Sequence, residues 1–211
     1  MNHLTLNLTK PGDAAPKLAL NLNKGERFKV RLSWEGKADV DLHAIVCVNT
    51  GDGAKASSFE DILSTYNVRR RIGTQEVGTL PKAPDGSFEI HGGALKHSPD
   101  ARDGDELDID EWIEIDPGKL SPPSAGVIEI PLLAMIHPQG GGTRFGQVGN
   151  AAVVVENGSG EQVLRASLSS QFGEFVGVQM GSILIDGTGA SFAAVGVGFN
   201  GDFNTVLGHF S

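Results

Sequence analysis

Met135 to Val163 reads MIHPQGGGTRFGQVGNAAVVVENGSGEQV. An apolar strand, a glycine loop, the block RFGQVGNA and a hairpin turn follow one another there in fixed order. The turn is Asn157-Gly158-Ser159-Gly160, because Asn and Gly tolerate the positive φ that tight turns need. It joins expected strands at Ala151 to Glu156 and Gln162 to Leu168. Just upstream, Val127 to Ile136 (VIEIPLLAMI) is almost continuously apolar, as is Leu42 to Val48 (LHAIVCV). Such runs fit strands in the middle of a two-layer packing, covered on both sides. Pro131 inside the first run predicts a bulge or an edge segment, since proline cannot donate to the ladder. Further strands are expected at Phe175 to Ile185 and Ser191 to Val197.

The same reading extends to the start of the chain. Leu4-Thr-Leu-Asn-Leu-Thr-Lys10 is echoed by Leu18-Ala-Leu-Asn-Leu-Asn-Lys24. Leucines alternate with polar residues in both, the period of a strand with one buried face. Phe28 to Trp34 alternates likewise and places Phe28, Val30, Leu32 and Trp34 on one face. Helical signal is confined to Ser58 to Leu63, a short helix capped by Ser57 or Ser58 with acidic residues in its first turn. The Pro- and Asp-rich segment Pro81 to Asp116 is the least regular and is the expected home of functional loops. Many short strands punctuated by Gly and Asp predict an all-β, two-layer β-sandwich forming one domain over residues 1–211.

Composition agrees. Glycine is high at 29 residues and aromatics are low at 6%, which suits a turn-rich β protein better than a helical bundle. The single cysteine, Cys47, has no partner for an internal disulfide and reads as a buried small hydrophobe. No stretch has a signal-peptide pattern or the apolar length of a membrane span, so a soluble, cytoplasmic protein is expected. The N-x-[ST] matches at Asn7 and Asn157 then carry no weight. A net charge of −9 and a pI near 5.1 repel nucleic acid and anionic lipid while favouring hard cations. Arg69, Arg70 and Arg71, the one basic cluster, read as a solvated loop.

Carboxylates dominate the candidate chemistry. Asp39 and Asp41 lie two apart at the start of an apolar strand, so they share a face and can offer oxygens to one ion; an ordinary polar turn is the competing reading. Asp100 to Asp116 holds nine carboxylates in 17 positions and repels itself unless cations, arginines or solvent relieve it. It lacks the D-x-D-x-D-G order of an EF-hand. A solvated acidic loop is the alternative there. Asn150 can present a neutral carbonyl oxygen to a cation, or cap loop backbone groups. No G-x-S-x-G, G-K-[ST] or H-E-x-x-H is present, so no enzyme template fits and no catalytic residue is expected. Gly140 to Arg144 could approach a phosphate, although a flexible loop tip explains the glycines as well. The six histidines show no ligand spacing and read as surface or capping side chains.

Leu32 to Val46 reads LSWEGKADVDLHAIV. Together with Ile136-His137 and Phe145-Gly-Gln-Val-Gly-Asn-Ala151, it resembles the TerD-like proteins of tellurium-resistance and stress operons. Members of that family carry a Trp, then D-x-D in an apolar strand, then I-H and F-G-Q-V-x-N-A. Supporting matches at Leu4 to Lys10, Ser58 to Asn67, Pro84 to His91 and Asp103 to Asp116 extend the resemblance over nearly the whole chain. It implies a non-enzymatic, calcium-binding accessory in stress response or tellurite resistance that works through protein partners or self-association. The implied ligands are Asp39, Asp41, Asp108, Asp110, Glu111 and Asn150. Two departures accompany the match: the family's Asp after I-H is Pro138 here, and its G-D-N type motif falls at Gly93-Ala94. They imply one calcium ion where relatives hold two, or none. A structural subunit of a larger assembly, such as a virus particle, that keeps the fold with degenerate ion sites is the second reading. Anion or nucleotide binding at Gly140 to Arg144 is a third.

Overall fold

The structure, a computed structural model, describes residues 4–5, 17–18, 26–68, 71–72, 74–76, 80–104, 111–138 and 141–211. Among these, two sheets pack face to face, with a small separate hairpin of β8 (Arg71–Ile72) and β9 (Gln75–Glu76). The first sheet contains β1 (Leu4–Thr5), β3 (Phe28–Glu35), β10 (Phe88–Ile90), β11 (Leu95–His97), β12 (Glu111–Ile115), β14 (Gly149–Glu156) and β15 (Gln162–Ser167). Its spatial order is β1-β15-β14-β3-β12-β11-β10, antiparallel except for the β1–β15 pair. The second contains β2 (Lys17–Leu18), β4 (Val40–Ile45), β5 (Cys47–Asn49), β6 (Ala54–Lys55), β7 (Ile62–Leu63), β13 (Val127–Ile136), β16 (Gly177–Asp186) and β17 (Gly189–Phe199). It runs β2-β17-β16-β13-β4-β7, and β5 continues along β13 with β6 beside it. Helices are short: α1 (Thr65–Val68), α2 (Leu168–Gln171) and α3 (Phe203–Leu207).

Alternation explains the inner core. In β3, Phe28, Val30, Leu32 and Trp34 are buried and their neighbours face outward, as a half-covered strand requires. They meet Val40, Leu42 and Ala44 of β4 and the even-numbered residues Ile128, Ile130 and Leu132 of β13 across the sandwich. β4 is buried at all six positions. Its other face is covered by the C-terminal residues Phe203, Val206 and Phe210, which form a second cluster with Ile45, Cys47, Leu133 and Met135. That cover is why both apolar runs lack a polar alternation. Cys47 is buried as expected.

Several expectations shift in detail. Pro131 is on β13, a central strand, and the register slips between Leu132 and Leu133 instead of the strand lying at an edge. The expected helix at Ser58 is one 3-10 turn, Phe59–Asp61; Ser58 accepts from the Glu60 amide and Asp61 reaches back to the Ser57 and Ser58 amides. The Asn157 to Gly160 hairpin forms between β14 and β15, with the positive φ carried by Gly160. His43 and His97 are fully buried and so are not surface side chains, although His97 does meet backbone carbonyls from within the core. The Arg69–Arg70 part of the basic cluster lies outside the described residues, as does most of each leucine echo. No described helix is long and apolar enough to cross a membrane.

Gly181 marks a close approach of strand to strand. A Cβ there would overlap the Ala193 carbonyl oxygen and the Phe192 ring, on β17 where the β16–β17 register slips. Gly181→Ala is therefore expected to destabilise the fold by about 1–3 kcal/mol, seen as a lower urea midpoint with an unchanged slope. An unchanged midpoint would mean that the two strands separate freely at this point.

Candidate metal centre

The site grows from the turn between β3 and β4. The Trp34 indole Nε1 donates to the Ala38 carbonyl at 2.7 Å and closes the turn that delivers Asp39 and Asp41 to β4. Gly104 then pins the acidic loop against this turn: its amide donates to the Gly36 carbonyl at 2.8 Å, and a Cβ on Gly104 would overlap the Trp34 backbone. Earlier in the same loop, Ser98 is fixed on β12 by exchange with Trp112, its amide donating to the Trp112 carbonyl and its hydroxyl accepting the Trp112 amide. Asp100 is thereby carried to the start of β12.

Glu111, the first residue of β12, has no exposed surface. Its Oε2 accepts the Leu42 amide at 2.7 Å, and its Oε1 accepts the Ala101 amide at 3.3 Å. The reason lies in β4. Its neighbour β7 covers only Ala44 and Ile45, so Leu42 has no strand partner on that side. Side chains of the opposite sheet satisfy it instead, Glu111 at the amide and His97 Nε2 at the carbonyl, 3.1 Å away. His97 Nδ1 lies 2.8 Å from the Ser98 carbonyl, and the ring stacks on Phe88. A neutral imidazole can donate to only one of the two carbonyls.

Asp41 points into the same space. Its Oδ1 accepts from the Thr65 hydroxyl at 2.8 Å, whereas its Oδ2 is buried with no hydrogen-bond partner. One oxygen each from Asp41, Asp100 and Glu111 lie within 4.8 Å of one another, a spacing that can hold a metal ion. Burial, then the neighbouring Asp39 carboxylate, pushes the Asp41 carboxyl up to about 7. Burial, then Asp41, raises Glu111 well above the ordinary range. Asp39 is also raised by burial, with His137 opposing the shift; its Oδ1 is buried and lacks a partner. The backbone at this point is firm, since the His137 amide donates to the Asp39 carbonyl at 2.8 Å.

Of the residues expected at the site, Asp41 and Glu111 come together and Asp39 stands beside them at the start of β4. Asp108 and Asp110 lie outside the described residues. Asn150 is exposed, with a left-handed φ of 48°, next to Gly149, which pairs with Glu35 at the end of β3. It is on the same end of the sandwich, since β3 ends there while β4, β12 and β14 begin. Three participants were not singled out from sequence: Asp100, Thr65 and His97. Asp100 is one of nine carboxylates in its run, and the Ser98–Trp112 pairing, with Gly104 against the β3–β4 turn, positions it. At the Gly-rich loop, the Arg144 guanidinium donates to the Glu174 carbonyl and is committed within the fold.

Comparison with known proteins follows the same lines. The chain resembles the crystal structure of a homologue of telluride resistance protein (TerD) from Streptomyces coelicolor A3(2), with a TM-score of 0.64 and 17% identity over 87% of this chain and 95% of that one. A crystallised protein of unknown function matches with a TM-score of 0.63 and 14% identity, over 88% and 96% of the respective chains. At such identities the likeness speaks for the shared fold. No curated protein matches. The TerD domain model matches residues 86–210, more than half the sequence, including Asp100, Glu111 and Asn150 but not the Leu32 to Val46 block. The chain belongs to the TerD domain family.

Proposed function

We propose that this protein is a non-enzymatic, calcium-binding TerD-domain protein that serves as a stress-response or tellurite-resistance accessory by docking partners. The observation that carries the reading is the buried oxygen of Asp41 without a partner, within reach of Asp100 and Glu111. A buried carboxylate left unpaired is costly, and a cation that cancels three mutually repelling carboxylates offsets that cost. All three donors are oxygens, which suits a hard cation such as Ca²⁺ over thiophilic or imidazole-preferring metals. Asp39, whose charge acts on Asp41, and Asn150, at the start of β14, are the remaining described residues of the expected ligand set.

Proton and cation compete for the same group. With the Asp41 carboxyl raised from 3.8 to about 7, the native state holds a proton that the unfolded chain has already released. Between those values the folded state binds more protons, so stability falls as pH rises through the window and levels off above about pH 7. The neighbouring Asp39 and Asp100 charges add to burial in raising this carboxyl, Glu111 is raised beside it, and hydrogen bonds from Thr65 and Tyr66 oppose the shift. Cation binding must displace the proton, so affinity should rise with pH.

Two outcomes are expected. Isothermal calorimetry should detect Ca²⁺ binding at pH 8 with weaker binding at pH 6, and Asp41→Asn or Glu111→Gln should abolish it; absence of heat from wild type at both pH values removes the calcium reading. Without added cation, the wild-type melting temperature should fall by roughly 5 °C or more between pH 5 and pH 8, while Asp41→Asn should melt higher than wild type at pH 8 and equal to it at pH 5. A variant that melts lower at pH 8 would show that Asp41 is a structural hydrogen-bonding group and not a stored charge.

A further inference from the structure

Among the described residues, every buried side-chain nitrogen or oxygen without a hydrogen-bond partner belongs to Asp39, Asp41, His43 or Tyr66. These four adjoin one another. Asp41 and His43 share one side of β4 by the two-residue strand period, and the Tyr66 ring lies 5.4 Å from that of His43. Buried polar atoms are nearly always paired, so four neighbouring residues with unpaired atoms single this region out. A cation on the acidic cluster accounts for the two aspartates. It does not account for Tyr66.

The Tyr66 hydroxyl lies beside Asp41, close enough for a weak hydrogen bond to act on the acidity of both groups but not close enough to satisfy the hydroxyl or Asp41 Oδ2. Its ring is held between two others, stacked on His137 at 5.3 Å and on Phe203 at 5.2 Å. Phe203 opens α3 and also packs on His43 at 4.5 Å. One step therefore separates the acidic cluster from the C-terminal segment that covers the outer face of the second sheet. The segment is bound on one side by the small cluster over Ile45, Cys47, Leu133 and Met135, and by the Ala56 amide, which donates to the Phe210 carbonyl at 2.7 Å. On its other side a cavity of about 380 Å³ separates it from β16 and β17. Val197, at the cavity wall, is 40% exposed. A five-residue helix with a cavity along one flank, where Phe199 of β17 is its apolar contact, belongs to the low-stability end of a fold, where small biases show as changes in opening.

We infer that Tyr66 couples cation occupancy of the Asp41 cluster to the seating of the C-terminal segment. With a divalent cation on Asp41, Asp100 and Glu111, the Tyr66 hydroxyl donates to the fixed Asp41 carboxylate, and the stack from Tyr66 to Phe203 holds α3 down on β4 and β13. Loss of the cation returns that bond to the weak contact seen without the ion and loosens the cover over the apolar face beneath. Thr65, which already donates to Asp41, keeps α1 in place in both states. Tyr66 is thus a positioning residue and not an ion ligand. The inference rests on the calcium reading of the acidic cluster and names the element that responds to it.

Amide hydrogen exchange on the full chain at pH 7.5, with and without CaCl₂, reads the seating directly, with calorimetry on the same samples. Calcium should slow exchange at the Ala56, Val206, Gly208 and Phe210 amides by roughly fivefold or more. Tyr66→Phe keeps the ring and loses the hydroxyl: it should bind calcium within a few-fold of wild type and show wild-type exchange without calcium, but lose the slowing. Phe203→Leu, which breaks the stack while filling the space, should behave likewise. Calcium heat without slower exchange in wild type overturns the coupling and leaves the ion site standing, as does full slowing in Tyr66→Phe. No calcium heat at all removes the ion site, and the coupling with it.

Discussion

The arrangement turns on Leu42. Its strand runs past the short β7, and its backbone amide and carbonyl would be orphaned between two apolar layers if no side chain reached them. Glu111 and His97, from adjacent strands of the opposite sheet, supply the missing partners. The two sheets are thereby joined by polar bonds inside the sandwich as well as by hydrophobic contact. The solution has an electrostatic consequence. An acidic side chain is fixed in the interior beside Asp41 and Asp100, where each carboxylate raises the cost of ionising the next. A carboxylate cluster that could hold a metal ion is the by-product of completing a strand edge with a carboxylate, and the hydrogen bonds that satisfy Leu42 also fix the Glu111 side chain.

Much of this was legible in the sequence, and where it was not the reason is physical. Period-two alternation in β3 and the unbroken apolar runs of β4 and β13 identified the layers because burial acts on every residue of a strand. The D-x-D of Asp39 and Asp41 was readable as a possible ligand pair because strand geometry places both on one face. Asp100 was not, since a dense acidic run contains no local signal of which carboxylate turns inward. That choice is made by Ser98, Trp112 and Gly104, whose contacts span sequence distances that periodicity does not see. The buried histidines failed for a similar reason. His43 is covered by Phe203, 160 positions further along the chain, and His97 by a backbone carbonyl of the other sheet.

Pro131 shows which half of a two-way rule applies. Proline in a strand argues for an edge or a bulge because it lacks a donor, and in this chain the bulge is what forms. Here it sits on a strand flanked by β16 on one side and by β4 and β5 on the other. The irregularities cluster around it: the chain passes from pairing with β5 to pairing with β4, and the β16 register slips one residue later. A central strand tolerates proline where its ladder is changing partners, because fewer regular bonds are lost there.

The two departures from the family pattern are not equivalent once placed in the fold. Gly93 and Ala94 belong to the turn between β10 and β11, and the Ala94 carbonyl accepts the Asp116 amide beyond the far end of β12 from Glu111. Glu111 and Ile115 are separated by the length of that strand, about 13 Å at the usual rise, so a ligand lost near Gly93 cannot belong to the Asp41 cluster. The turn holds a different pairing, His91 Nε2 to Asp61 Oδ1 at 3.0 Å. Pro138 differs. It follows His137, whose amide is bonded to the Asp39 carbonyl, so a carboxylate at that position would stand on the Asp39 side of the cluster. Replacing it with proline removes one anionic group from the neighbourhood while Asp41, Asp100 and Glu111 stay together. On the calcium reading, this chain has lost a contributor to the retained site and, separately, whatever stood at the opposite end, which is the physical content of holding one ion where a relative holds two.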